Sequence, residues 1–366
     1  KAIRNSIAAA NAGDGIAVTA AIGAVTDVLS EGNGGWGISL ADSGAAAVQR
    51  NRVGGNVGGI SLVRPATGAV VGGTDLTKAT GNVVTGNTGD GIVVSGGGSV
   101  TVAGNTVSGH KAAGARGIAV STAAQIVSNV VSDNTQGIAA GGGTVTTNRV
   151  YANVGDGIAA VNADVSGNVV YSNATGLRVQ ATSTGRTVRN NLIYGNSQAG
   201  VALTGTGITF ITNTVYQPGG DAVRVDAAVN IGLFDNVLGA MNGVALKVAA
   251  DAQSGFASDS NLFMPSAAAA SIGSWGGATA ATLQDWRVAA GTDAWSLFTD
   301  PLFVDIDGAD NVLGAFDPAG LAFQGWNNTT FSGSPDVTLV DRVVNFYNYY
   351  ERSEEHTSEL QSRQYL

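Results

Sequence analysis

The sequence predicts an all-β solenoid of about 12 coils, in which three parallel sheets surround an aliphatic core and a cap with a short helix closes the C-terminal end. Two observations lead to this prediction. A motif that begins with Asn or Asp recurs every 19 to 31 residues, at positions 5, 27, 51, 82, 105, 129, 148, 168, 191, 213, 236 and 261. Within each repeat, aliphatic residues alternate with polar or small residues in three short stretches, as expected for strands with one buried face.

Each strand of a repeat is marked by an aliphatic residue at a fixed place relative to the leading Asn. In the repeat that begins at residue 148, these are Val145, Val150 and Ile158. The same rule places Ile7 and Val244 on the inner side of an early and a late coil. One repeat cannot fold alone, because ordering each residue costs about 1–2 kcal/mol and burying an aliphatic side chain returns only about 1.5–3 kcal/mol. The repeats are therefore expected to stack, about 4.8 Å apart.

Two columns of Asn are expected at the corners of the coils, because Asn tolerates left-handed backbone and its amide both donates and accepts hydrogen bonds. The leading residues of the repeats form the first column. The second column consists of Asn11, Asn33, Asn56, Asn87, Asn134, Asn153, Asn173 and Asn196. A Gly precedes most third strands, as at Gly37, and permits a positive φ or a close backbone approach.

The repeats occupy residues 1–265, and one of them is longer than the others. An insertion between Ser61 and Thr80 lengthens that repeat to 31 residues. Insertions of this kind form loops on one side of a solenoid.

Residues 266–305 are predicted to form the C-terminal cap. Thr282 and Asp285 match a capping box and Gly291 matches a helix stop, so a short helix is expected over 283–290. Four aromatic side chains are expected to plug the open core: Trp275, Trp286, Trp295 and Phe298.

The last part of the sequence differs from the repeats. Residues 306–351 are richer in aromatic residues and predict a few strands, the start of another module. Arg352 to Ser362 resembles one reading frame of a common sequencing adapter, so residues 352–366 are interpreted as an artefact. The chain opens at Lys1 inside a repeat and is interpreted as a fragment of a larger multidomain protein.

The repeat Asn-x-Val-x-x-Asn-x-x-x-Gly-Ile, found at Asn148 to Ile158, resembles the repeats of right-handed parallel β-helix proteins, the pectate-lyase-like superfamily. The resemblance covers residues 1 to about 265 and implies a right-handed parallel β-helix. The family includes lyases, hydrolases, epimerases, adhesins and inert shafts, so the resemblance implies no single activity. It does imply a bacterial protein that is extracellular or on the cell surface.

Composition narrows the possible partners and chemistry. The net charge is −9 and the isoelectric point is near 4.6, so nucleic acid is not an expected partner. The sequence has no Cys, which excludes disulfides and thiolate chemistry. No apolar run approaches the roughly 20 residues of a membrane span. His110, beside a short loop at 111–116, is expected to be a loop residue rather than a catalyst.

The most distinctive polar residues lie at outward positions of the third strands on neighbouring coils. They are Arg178, Gln180, Thr204, Arg224, Asp226 and Lys247. Arg178 and Arg224 are expected two coils apart, roughly 10 Å, with the small Ala202 between them. A solvated face, a binding site for anionic sugars and a catalytic site are all open interpretations of this cluster.

The resemblance adds roles for three of these residues. In pectate-lyase-like enzymes a sugar chain lies across such a strand face, an Arg or Lys acts as base, and acidic residues hold calcium. It therefore implies Arg224 or Lys247 as base and Asp226 as calcium ligand.

Four Tyr residues occupy one outward position on successive coils: Tyr151, Tyr171, Tyr194 and Tyr216. Aromatic faces bind sugars, but rings stacked at about 5 Å cover one another and stabilise the fold. A stabilising stack is the favoured interpretation and a sugar platform is the alternative.

Oxygen ligands at Asp305, Asp307 and Asp310 have a spacing like that of a calcium loop, but no bidentate Glu follows them. Calcium at this segment and an ordinary acidic turn are both open interpretations.

Three functions remain compatible with the sequence. The leading one is a structural or polysaccharide-binding domain of a larger extracellular protein. The second is a polysaccharide lyase that cleaves uronate polymers by β-elimination, and the third is an adhesin shaft without a small ligand. A groove formed by loops beside the face from Arg178 to Lys247 would distinguish the first two from the third.

Overall fold

The solenoid predicted from the repeats is present, with three strands in almost every coil. The structure, a computed structural model, describes residues 1–73, 80–264 and 271–303, together with the backbone of two further strands, Leu321–Gly325 and Val337–Asp341. Every strand pair within the stack of coils is parallel, as each strand pairs with the equivalent strand of the coils before and after it.

One sheet, called sheet I here, is built from the third strands of the repeats. Its parallel strands are Ile16–Val18, Trp36–Ala41, Gly58–Val63, Ile92–Ser95, Arg116–Val120, Gln136–Ala140, Asp156–Val161, Thr175–Ala181, Ala199–Thr206, Asp221–Val229, Leu246–Val248 and Gly273–Trp275. A last strand, Ala278–Ala280, turns back antiparallel to Gly273–Trp275.

The strands on either side of the first Asn column form sheets II and III. Sheet II contains Ala47–Gln49, Ala69–Gly72, Val100–Ala103, Ala124–Val127, Gly143–Thr146, Ala163–Ser166, Arg186–Arg189, Ile208–Ile211, Gly232–Phe234 and Ala257–Asp259. Sheet III contains Arg52–Gly54, Val83–Thr85, Thr106–Ser108, Val130–Ser132, Arg149–Tyr151, Val169–Tyr171, Leu192–Tyr194, Thr214–Gln217, Val237–Ala240, Leu262–Phe263 and Leu297–Phe298. Two long strands, Ala2–Ala9 and Ala24–Glu31, run through both sheets and join them at the N-terminal end.

The core is a narrow aliphatic column, as the alternating pattern predicts. Val145, Val150 and Ile158, one from each sheet, are all 0% exposed. The inward positions assigned to the early and the late coil are wrong, however. Ile7 is 76% exposed, and the inward residue after Val223 is Leu246 rather than Val244. The turn before Leu246 is longer, so the strand begins two residues later in the sequence. A rule that counts a fixed number of residues from the leading Asn cannot detect this shift.

The first Asn column forms a continuous ladder. In the middle of it, the backbone N–H and the Nδ2 of Asn148 both donate to Asn168 Oδ1, at 2.9 and 3.0 Å, and Nδ2 also donates to the carbonyl of Ile126 at 2.9 Å. Thr147, just before it, has a left-handed φ of 53°, which turns the chain at the corner. The ladder comprises Asn51, Asn82, Asn105, Asn129, Asn148, Asn168, Asn191, Asn213, Asn236 and Asn261.

The first two positions assigned to this column are wrong by one residue. The amide of Asn51 accepts from the backbone N–H of Val28, not from Asp27. Asn5 and Asp27 instead take the left-handed conformation, with φ of 49° and 58°, that the preceding residue takes in later coils. The residue type fits the corner, but its place in the turn differs.

The second column is also a ladder, and His110 belongs to it. Its ring lies between Asn87 and Asn134 and is 0% exposed. His110 does lie in the loop between strands Thr106–Ser108 and Arg116–Val120, as expected, but its side chain is buried in the column rather than exposed. At the far end, Gln217 continues the column, because its Oε1 accepts from the backbone N–H of Asn196 at 2.8 Å.

Gly precedes most strands of sheet I because the backbone has no room for a side chain there. A Cβ built at Gly37 would lie 2.3 Å from Val53 Cγ1 and 2.8 Å from Asn56 Nδ2. The φ of Gly37 is not in the left-handed region, so close approach rather than conformational freedom explains the residue.

The insertion in the long repeat follows a strand of sheet II in the chain rather than a strand of sheet I. Strands Gly58–Val63 and Ala69–Gly72 keep the regular register with their neighbours. The extra residues come between Gly72, which ends a strand of sheet II, and Val83, which begins a strand of sheet III, and 74–79 lie outside the described residues.

The cap contains the predicted helix, α1, at Leu283–Ala290. The capping box is complete, since Asp285 N donates to Thr282 Oγ1 at 3.1 Å and Thr282 N donates to Asp285 Oδ2 at 3.0 Å. Gly291 ends the helix with a left-handed φ of 67°.

Two of the four aromatic side chains plug the core. Trp286 is fully buried, its Nε1 donates to Asp293 Oδ2 at 2.7 Å, and its ring meets Trp275 edge to face at 5.8 Å. Trp295 is 81% exposed and Phe298 is 49% exposed, so their assignment to the plug is wrong. Phe298 lies in register with buried Phe263, but on the last strand of the stack, where no further described coil covers it.

The chain divides into two compact units, Lys1–Gly314 and Ala315–Leu366. In the second unit, Leu321–Gly325 pairs antiparallel with Val337–Asp341. The domain boundaries at 265, 305 and 351 stay predictions, and so does the interpretation of residues 352–366, which lie outside the described residues. In the part of the chain that the structure describes, no helix is long and apolar enough to cross a membrane.

Candidate polysaccharide-binding face

The outward residues of sheet I bring the predicted basic residues into one column. Arg178 pairs in register with Ala202, Ala202 with Arg224, and Arg224 with Lys247. The two Arg residues are thus separated by two coil spacings, roughly 10 Å. Ala202, which lies between them, is only 9% exposed.

The next outward column is interrupted at Asp226. Gln180 pairs in register with Thr204, as predicted. Beyond that, Leu203 pairs with Val225 but Gly205 pairs with Ala228, so the later strand contains one extra residue. This β-bulge turns Asp226 out of strict register with Gln180 and Thr204. Asp226 remains half-buried on the same face.

Arg178 is occupied by an ion pair. Its Nε and Nη2 donate to the two carboxylate oxygens of Asp156 at 2.7 and 3.0 Å. Asp156 belongs to a Gly-Asp-Gly-Ile turn, and its bond to Arg178 is the main reason why the pKa of the guanidinium is raised. A ligand at Arg178 would therefore contact a cation whose charge is already balanced in part by Asp156.

Arg224 and Lys247 are less satisfied than Arg178. Arg224 Nε lies 3.2 Å from Asp221 Oδ2, which is an ion pair but not a hydrogen bond. This nitrogen is buried and has no hydrogen-bond partner in the described structure. Lys247 makes no hydrogen bond or ion pair with any described residue and is half-buried. These two neighbouring cations are the groups on the face with most capacity to bind an anion.

Charge on the face is balanced overall. Three carboxylates, Asp156, Asp221 and Asp226, accompany the three cations. No group of three or more His, Cys, Asp and Glu side chains gathers within the described ranges in a way that could hold a metal ion.

A groove of about 370 Å³ continues this face toward the N-terminus. Its floor includes the outward side chains of Val93, Ala119, Ala139 and Ala159. Ala159 is the register partner of Arg178, so the floor of the groove leads directly into the basic column. This groove could not be predicted from the sequence, because small outward residues on a strand carry no recognisable signal.

The wall of the groove contains one charged side chain, that of Arg116. Its Nη2 donates to Asp90 Oδ2 at 2.7 Å, and its backbone N–H donates to Asp90 Oδ1 at the same distance. Asp90 lies in another Gly-Asp-Gly-Ile turn. In this turn, as at Asp14, a carboxylate oxygen accepts a hydrogen bond from a backbone N–H of the next coil.

The Tyr column is mainly a structural stack. Tyr151, Tyr171 and Tyr194 stack at centroid distances of 5.0 and 4.9 Å. Tyr151 and Tyr171 are only 5% and 4% exposed, so their faces are closed to a sugar. Tyr216 pairs in register with Tyr194, and both are half-buried. The column lies on sheet III and does not join the basic face.

Arg149 closes the stack from outside. Its Nε and Nη2 donate to the Tyr171 hydroxyl at 3.0 and 2.7 Å. Its guanidinium carbon also lies 5.3 Å from the centre of the Tyr151 ring. Burial raises the pKa of Tyr171 to about 12, against the opposing effect of Arg149.

The proposed calcium segment at Asp305, Asp307 and Asp310 lies outside the described residues, so it stays a prediction.

Comparison with known proteins supports the fold. The chain matches the family described as "Right handed beta helix region" over residues 1–129 and 67–215, together more than half of its length. It therefore belongs to the right-handed β-helix family. A sequence search of curated proteins found no match.

Several solved structures share the fold at low sequence identity. A variant of the periplasmic alginate epimerase AlgG has a TM-score of 0.48 and 14% identity, covering 77% of this chain and 76% of that one. The A-module of the Azotobacter vinelandii mannuronan C-5 epimerase AlgE4 has a TM-score of 0.42 and 16% identity, covering 76% and 86%. The Dettilon tailspike protein has a TM-score of 0.39 and 15% identity, covering 75% and 60%. At these values the likeness is one of fold alone.

Proposed function

We propose that this β-helix is a polysaccharide-binding domain of an extracellular or cell-surface protein, and that it binds an acidic polymer along the outer face of sheet I. The observation that supports this most is the column from Arg178 through Ala202 to Arg224 and Lys247. Repeating cations on a rigid scaffold suit a ligand that is itself a repeating polyanion.

The C-terminal part of the column is the expected anchor. The ion pair of Arg224 with Asp221 includes no hydrogen bond and leaves the Arg224 side chain 40% exposed, and Lys247 is free of ion pairs with described residues. Gln180 and Thr204 offer neutral hydrogen-bonding groups beside them for sugar hydroxyls. Because the carboxylates on the face balance its cations, binding is expected to be moderate and sensitive to salt.

Binding of polygalacturonate and alginate to the whole chain, measured by calorimetry against neutral dextran, tests the proposal. Replacing Arg224 and Lys247 together by Ala removes two charge-assisted contacts of about 1.5–3 kcal/mol each. The double variant is expected to lose at least about a hundredfold in affinity. Arg50→Ala, at an exposed Asp27 ion pair away from sheet I, is the matched control and should bind like the parent protein.

The same polymers test the alternative, a polysaccharide lyase with Arg224 or Lys247 as base and Asp226 holding calcium. A calcium-dependent rise in ultraviolet absorbance from unsaturated sugar ends, lost in Arg224→Ala, would establish the lyase. Binding without such a rise supports the binding domain. No binding to any polymer, with an intact fold, would reject the proposal and leave the adhesin shaft.

A further inference from the structure

His110 stands where every neighbouring coil has Asn. In the second column, Asn87 precedes it by 23 residues and Asn134 follows it by 24. Its backbone N–H donates to Asn134 Oδ1 at 3.2 Å, which is the same bond that Asn134 itself makes to Asn153 Oδ1. The imidazole thus replaces an amide within a buried ladder, where one side must accept a hydrogen bond and the other must donate one.

The amides on both sides fix the protonation state of the ring. Asn134 Nδ2 donates to Asn153 Oδ1, so its own Oδ1 is the atom 2.8 Å from His110 Nδ1, and that nitrogen carries the proton. Asn87 Oδ1 accepts from the backbone N–H and the Nδ2 of Asn56, so Asn87 can offer only Nδ2 to His110 Nε2, at 3.2 Å. Nε2 must therefore be unprotonated.

Protonation would set two donors against each other. A proton on Nε2 would point at the Nδ2 hydrogens of Asn87. Rotating the Asn87 amide would not relieve the clash, because its Nδ2 would then face the two donors of Asn56. The conflict would pass along the column to Asn33 and Asn11, whose amides have the same direction.

The charged groups around His110 do not offset this conflict. From the preceding turn, Asp90 favours the charged ring by its field, but its carboxylate is bound to Arg116. From the following turn, Asp133 is bound to Lys111. Neither acid makes a hydrogen bond to the ring. Burial is the largest influence on the pKa of His110, and it lowers that pKa.

We infer that His110 is a pH-sensitive break point in the solenoid, and that its protonation opens the turn at 109–115 by interrupting the second Asn column. This turn leads directly into strand Arg116–Val120, whose first residue lines the groove on sheet I. Mild acid should therefore loosen one coil near the groove while the first Asn column, which contains no titratable residue from Asn51 to Asn261, stays intact. The inference does not depend on the proposed ligand.

Hydrogen exchange of the full chain between pH 7 and pH 5 tests this, after correction for the intrinsic exchange rate. Opening that takes up one proton should become about tenfold more frequent for each pH unit below about 6.5. The amides of 109–115 should show this rise in the parent protein. His110→Asn, which restores the residue used in the other coils, should abolish it.

His356→Asn is the control, because His356 is the only other histidine and lies in the tail. It should behave like the parent protein. An equal rise in the parent and in His110→Asn would overturn the inference, as would exchange that does not respond to pH in either.

A second measurement covers the case in which His110→Asn does not fold. The ring proton of His110 can be followed by NMR in the parent protein through the same pH range. A ring that titrates near 6.5 with no change in the neighbouring amides would overturn the inference. A ring that stays neutral until the 109–115 amides open would support it.

Discussion

At the scale of single residues, the most informative side chains are those that replace a column member. His110 occupies a position that the spacing of Asn87 and Asn134 already marks as a column site. The spacing of His110 from these two Asn residues can be read from the sequence, but a search for Asn alone does not find it. Only a neutral imidazole can replace the amide, because one of its nitrogens then donates a hydrogen bond and the other accepts one.

Tyr171 gives a prediction at the alkaline end of the pH range. An exposed Tyr ionises near pH 10, whereas the pKa of Tyr171 in the fold is about 12. Between these values the unfolded chain loses its proton and the folded chain does not, so the free energy of unfolding should fall as pH rises from 10 to 12. Urea unfolding at pH 8 to 11.5 would show this decline.

Tyr171→Phe isolates the effect. The variant should be less stable at pH 8, by about 1.5–3 kcal/mol for the lost bonds from Arg149 to the hydroxyl. Its stability should then decline less steeply than that of the parent protein above pH 10. Parallel curves for the two proteins would contradict the assignment of the pKa to burial of this hydroxyl.

At the scale of elements, the first Asn ladder joins the corners of successive coils by hydrogen bonds. Asn148→Ala removes an amide that donates to Asn168 and Ile126 and accepts from Asn129. Several buried groups would be left without partners, at about 1–3 kcal/mol each. Urea unfolding should show a loss of several kcal/mol.

The matched control for this prediction is Asn242→Ala, because Asn242 is exposed and its amide donates only to the carbonyl of Pro218. Its cost should stay below about 1 kcal/mol. If the two variants were equally stable, the ladder would be a consequence of the stacking rather than one of its causes.

The elements also show how far the sequence could predict the structure. Helix α1 has the predicted bounds because capping box and Gly stop are local signals that need no tertiary context. The inward position of Leu246 was missed because the turn before it is longer than in other coils. The bulge at Asp226 was missed because one extra residue inside a strand leaves no mark in the sequence. The basic column was predicted correctly because strand alternation and coil stacking are sufficient to place Arg178, Arg224 and Lys247.

What the sequence could not predict is which of these side chains are occupied. The partner of Arg178 is Asp156, one coil away, and that of Arg224 is Asp221, three residues before it. Ion pairs of this kind depend on rotamers, which spacing does not specify. The exposure of Trp295 was missed for a similar reason, since its backbone N–H is held by Asp259 while its ring points to solvent.

At the scale of the whole molecule, the cap protects the open end of the stack. Trp286 is fully buried against Trp275 at the end of the core. Trp286→Ala should cost about 3–5 kcal/mol and loosen the strands that end the sheets. Because unprotected strand edges pair with other chains, the variant should self-associate on heating, which light scattering would detect.

The comparison for this prediction is Trp295→Ala, since Trp295 is 81% exposed. That variant should unfold at nearly the same temperature as the parent protein and stay monodisperse to the same degree. If Trp286→Ala were equally well behaved, the plug would not be needed to close the solenoid.

The Asn ladders have one more consequence, which concerns how such a chain can change in length. Coils differ from 19 to 31 residues between leading Asn positions, yet each Asn from Asn51 to Asn261 reaches the next with the same pair of bonds. The register between neighbouring coils is therefore set again at each corner. Residues that are added to or lost from one turn do not change the register of the next coil. A whole coil behaves as an interchangeable cassette: gene duplication or deletion from one Asn to the next would lengthen or shorten the rod while leaving its cross-section unchanged.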